Sequence, residues 1–81
     1  MANVIDPERH AHLIDLQLKV FAADRELMAY TGDDPEPLRE TMRQSAAEKN
    51  AALEESGLVA EHGWNAAEQG LKQAARAAEA G

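Results

Sequence analysis

The segment between residues 7 and 31 carries two apolar stripes rather than one, and this constrains the fold more than any other feature. Leu13, Val20 and Leu27 recur every seven residues, with Leu16, Ala23 and Tyr30 interleaved at 3-4 spacing. Ile14, Phe21 and Met28 repeat with the same period on a neighbouring line. Seven residues make nearly two turns of α-helix, so each set occupies one strip of helix surface. An apolar strip has to be covered, and two strips on one helix require at least two neighbours. Between the strips, at the same period, run His10, Gln17, Asp24 and Thr31, a polar line lying over the seam between those neighbours.

Local signals delimit three helices. Asp6-Pro7-Glu8 opens the first: the Asp6 carboxylate can accept from orphan amides, and Pro7 needs no donor at the first helical position. Thr31-Gly32 closes it, with Gly32 suited to a left-handed cap. Asp34-Pro35 repeats the opening signal after a very short connection, which folds consecutive helices back antiparallel. The second helix then runs to about Glu55, with Leu38, Met42, Ser45, Ala46, Lys49, Ala52 and Leu53 facing inward, and Ser56-Gly57 ends it. Leu58-Val59-Ala60 reads as an apolar link. Asn65, three residues before Glu68, resembles a capping box for a third helix, whose stripe is Trp64, Ala67, Leu71, Ala74 and Ala78. Alanines allow close helix approach but bury little area.

The expected fold is therefore all-α: a long antiparallel helical hairpin plus a shorter Ala-rich third helix, in one domain spanning residues 1–81. Helices are expected at about 7–31, 35–55 and 64–79. Below roughly 70–80 residues, one core seldom supplies more than ~3–5 kcal/mol of stability. This chain has 81 residues and no cysteine. Self-association is the remaining source of buried area, so the hairpin is expected to dimerise into a helical bundle. The Ile14-Phe21-Met28 stripe of helix 1 would meet the partner, with Leu18, which lies off both stripes, forming a patch beside Phe21 and with Trp64 covering one end or flank; Ile14, Leu18, Phe21, Met28 and Trp64 are the expected interface residues. The alternative is that helix 3 covers that stripe within one chain.

Charge narrows the function classes. Eight Lys and Arg stand against fifteen Asp and Glu, for a net charge of −7. Nucleic-acid binding draws its affinity from cations displacing counterions, so neither DNA nor RNA is an expected partner. No apolar run approaches the ~18–20 residues of a membrane span, and the N-terminus lacks the apolar core of a signal peptide. No membrane association and a cytoplasmic location are expected.

The inventory of reactive groups is thin. Residues seven apart lie about 10.5 Å apart along a helix, so His10, Gln17 and Asp24 cannot bond one another. In a hairpin turning near residue 32, Gln17 would lie level with Lys49, Asp24 with Thr41 to Ser45, and His10 with Glu55 or Ser56. The expected polar seam is His10, Gln17, Asp24 and Lys49, setting register as a polar residue does in a coiled coil, or simply wetted by solvent. Glu8, His12 and Asp15 share a face, as any solvated helix presents, and no Glu-x-x-His motif occurs. Ser45 and Ser56 lack the setting of a nucleophile, and the five glycines form no phosphate loop. No catalytic residue, metal ligand or cofactor is expected. The expected function is a non-enzymatic helical protein–protein interaction or oligomerisation module, whose partner is a second copy or another protein and which could serve regulation. Two alternatives stand beside it: a metal or small ligand held between subunits, and acidic inhibition of a basic protein.

Overall fold

The computed structural model describes residues 3–81. Among them are four helices and no strand: α1 (Ala11–Ala29), α2 (Glu36–Glu55), α3 (Leu58–His62) and α4 (Trp64–Ala80). α1 packs along both α2 and α4, while the short α3 touches α2 and α4. Contacts between α1 and α4 advance in step. Phe21 meets Arg76 and Arg25 meets Glu79, so the two helices run the same way.

The N-terminal turn departs from the expected continuous helix. The Asp6 carboxylate accepts from the Glu8 and Arg9 amides at 2.9 and 3.4 Å, so it caps as expected, but it caps a single turn over residues 7–10. His10 then takes a non-helical conformation, with its Nδ1 accepting from the Asp6 amide at 2.9 Å, and α1 starts at Ala11. The reversal brings Ile5 into the core, where it is buried. Asn3 locks the segment by donating from Nδ2 to the Gly70 carbonyl at 2.8 Å. Gly70, which costs about 1 kcal/mol of helix propensity relative to Ala, has a role here: a Cβ at this position would collide with the Asn3 side chain.

The turns use the expected residues at Asp34-Pro35 and Ser56-Gly57 but not at the end of α1. α1 ends at Ala29 because Tyr30 becomes extended, and the Tyr30 hydroxyl accepts from the Asp34 amide at 3.3 Å. Gly32 is not left-handed; it makes room for the Tyr30 ring, which a Cβ would strike. Asp34 accepts from the Glu36 amide at 3.1 Å, and α2 begins directly after Pro35. The positive-φ glycines are Gly57 and Gly63, at φ 85° and 89°. They bracket α3, which replaces the expected apolar link and buries Leu58. No side-chain cap bond opens α4, and Glu68 is committed elsewhere.

The core joins Leu13 and Ile14 of α1, Leu53 of α2, Leu58 of α3, and Ala67, Leu71 and Ala75 of α4, with Ile5. Leu53 and Leu71 have no solvent exposure, so truncating either to Ala costs about 2–5 kcal/mol. Ile14, expected at an intersubunit surface, is only 7% exposed within the single chain. The reason is the alanine face of α4, whose small side chains let Leu71 and Ala75 join the cluster that holds Ile14.

Candidate interaction surface

The polar line of α1 resolves into three environments. His10 is half-buried and bonded within its own turn, so it does not reach Glu55 or Ser56. Gln17 is 1% exposed, at the seam expected from its position between the stripes, yet its Oε1 has no hydrogen-bond partner. Asp24 is half-buried and lines an open cleft between α1 and α4.

Lys49 is 4% exposed and faces α4 rather than α1. Its Nζ lies 3.4 Å from Glu68 Oε1, and the same oxygen is 3.5 Å from Lys72 Nζ. The expected Gln17–Lys49 contact is thus replaced by a Lys49–Glu68–Lys72 chain tying α2 to α4. An ammonium removed from water gains more from an anion than from a neutral amide, which explains the choice. Partial burial pushes the Glu68 carboxyl up, but the charges of Lys49 and Lys72 outweigh it and hold the group below its ordinary value. Asn50 Oδ1 is a second buried acceptor without a partner.

The second stripe of α1 is covered unevenly. Leu18 and Phe21 are half-buried and pack against the core, while Met28 is 80% exposed. The cause is the reach of α4. Its last turn is level with Arg25, where Arg25 Nη1 lies 2.8 Å from Glu79 Oε2. Met28 stands about one turn beyond that pair on α1. Below it, Phe21, Asp24, Arg25, Arg76 and Glu79 line a cleft of about 280 Å³. The Arg76 guanidinium lies 5.7 Å from the centroid of the Phe21 ring, within cation–π range. Trp64 is 36% exposed at the opposite end of α4, outside the core cluster.

The sequence pattern marks no site role for Arg76 or Glu79 and marks Glu68 only as a capping-box partner of Asn65, because the apolar stripe dominates the Ala-rich tail. The available signal was their spacing: Glu68, Lys72, Arg76 and Glu79 form one charged ridge of a helix. Among the described residues, no three His, Asp or Glu side chains are placed to hold a metal ion. No helix of the described chain is long and apolar enough to cross a membrane. No protein-family model, curated protein or solved structure matches the chain.

Proposed function

We propose that the chain is a non-enzymatic helical interaction or oligomerisation module built on an antiparallel α1–α2 hairpin. One observation carries this reading. The apolar stripe of α1 outruns its intramolecular cover, leaving Met28 exposed one turn beyond a cleft that Phe21 helps to line. Contiguous apolar surface marks association sites, and Met28 continues the face of α1 that carries Phe21. Methionine suits such a surface because its flexible thioether adapts to the shape it meets.

The test is the native mass of the purified chain across a wide concentration range. The module reading expects mass to rise with concentration and the rise to persist in high salt, since apolar contacts are little screened. A fixed mass of 8.8 kDa at every concentration contradicts self-association. A second reading, inhibition of a basic protein, draws on the net charge of −7 and expects salt-sensitive capture of a polycation.

A further inference from the structure

We propose that the α1 face formed by Phe21, Asp24, Arg25 and Met28 is a two-fold symmetric interface whose occupant is a second copy of this chain. This rests on the oligomerisation reading above and supplies its surface and register. A two-fold contact must be self-complementary: where residue i meets residue j of the partner, j meets i. Four positions at i, i+3, i+4 and i+7 share one helix face, and here they read apolar, acid, base, apolar. A two-fold axis passing between residues 24 and 25, with the two α1 helices crossing antiparallel, brings Asp24 to Arg25 of the second copy. The same operation brings Phe21 towards Met28 of the second copy. Each copy then makes both contacts twice.

Three further observations favour this occupant. The cleft of about 280 Å³ has Phe21 in its lining, beside the charged Asp24, Arg25, Arg76 and Glu79, and gives a methionine side chain an aromatic ring to meet. Met28, four residues beyond Asp24 on the same face of α1, is 80% exposed and free to reach a second copy. The cleft's charges, Asp24 and Glu79 against Arg25 and Arg76, sum to zero, in a chain whose net charge is −7. This patch is therefore one where a like-charged copy is not repelled, and specificity follows from pairing opposite charges across the axis.

A charge-swap mixing experiment reads the register directly. In Asp24→Arg alone, two arginines face each other at each symmetric contact; in Arg25→Asp alone, two aspartates do. Each variant by itself should dimerise at least about tenfold more weakly than the native chain. Mixed, the variants regain opposite charges at both contacts, and sedimentation equilibrium should show a heterodimer of near-native affinity. Met28→Asp provides a variant whose fold is safe, because the side chain is already exposed. It should also weaken dimerisation by more than about tenfold, with unchanged helicity and melting temperature. A native chain that dimerises while Met28→Asp dimerises equally well overturns the interface and leaves the module reading standing. Failure of the mixed variants to associate better than either alone overturns the register and with it the proposal. A native chain monomeric at about 1 mM overturns both the interface and self-association.

Discussion

Lys49 is a buried cation with one anionic neighbour, and Glu68→Gln tests what that neighbour does. The substitution keeps shape and an acceptor oxygen but removes the charge facing an ammonium that is 4% exposed. Hydrogen bonds to charged groups contribute about 1.5–3 kcal/mol, and an orphaned buried charge costs more. Two features reduce the figure here. The contact is long, at 3.4 Å, and Glu68 keeps 26% side-chain exposure. The expected loss is therefore about 1–2 kcal/mol, which for a domain of this size lowers the melting temperature by about 5–15 °C. Lys49→Met should behave oppositely. It removes the desolvated charge, leaves Glu68 with Lys72 and solvent, and is expected to be neutral or stabilising by up to about 2 kcal/mol. In the Lys49→Met background, Glu68→Gln should cost less than about 0.5 kcal/mol. Thermal and urea unfolding followed by circular dichroism would measure all four corners of the cycle. An unchanged melting temperature for Glu68→Gln, or the same loss with Met at position 49, would refute the view that Glu68 acts by neutralising Lys49.

Two other outcomes follow from the same structure. Gln17→Leu replaces a buried amide whose Oε1 is unpartnered with an apolar group, and should raise stability by about 1–2 kcal/mol; a loss of stability by urea unfolding would mean that Oε1 has a partner in solution. Stability should fall as pH drops through the carboxylate range. The Asp6 carboxyl is held below its ordinary 3.8 by the Glu8 and Arg9 amides, Glu40 below 4.5 by its hydrogen bond with Arg43, and Glu68 below 4.5 by Lys49 and Lys72 against the opposing effect of burial. Because these folded-state values are depressed, the unfolded chain binds protons first, so stability is present above the unfolded values and lost as pH falls through the folded ones. A melting temperature that rises between pH 5 and 3 would contradict this assignment.

The helical class was legible because periodicity integrates over many residues. Leu13, Ile14, Leu53 and Leu71 sit inside as their stripes imply, and the sites where α1 and α2 stop lie near the cap signals. What failed to show was decided by single contacts across the chain. The reversal at His10 depends on Asn3 finding the Gly70 carbonyl, 67 residues away, a pairing no local pattern encodes. α3 is too short to display a period, and Gly57 reads equally well as the end of one helix or the start of the next. The direction of Lys49 is hidden from the sequence for a related reason. Lying on the inner stripe of α2, it could meet α1 or α4, and only packing shows that Glu68 is within reach. The candidate surface was half legible: the stripe to Met28 was visible, whereas the length of α4 that leaves Met28 bare while covering Phe21 was not.

Met28 is exposed in one chain and, at the proposed interface, covered by another. Its rate of conversion to sulfoxide by peroxide, measured by mass spectrometry at rising protein concentration, tests that directly, because oxidation follows exposure. Met42, half-buried in α2, provides the internal control. The account predicts rapid Met28 oxidation in dilute protein and progressive protection that follows the rise in native mass, with the Met42 rate constant throughout. A Met28 rate independent of concentration, in a sample whose mass shows association, would contradict it.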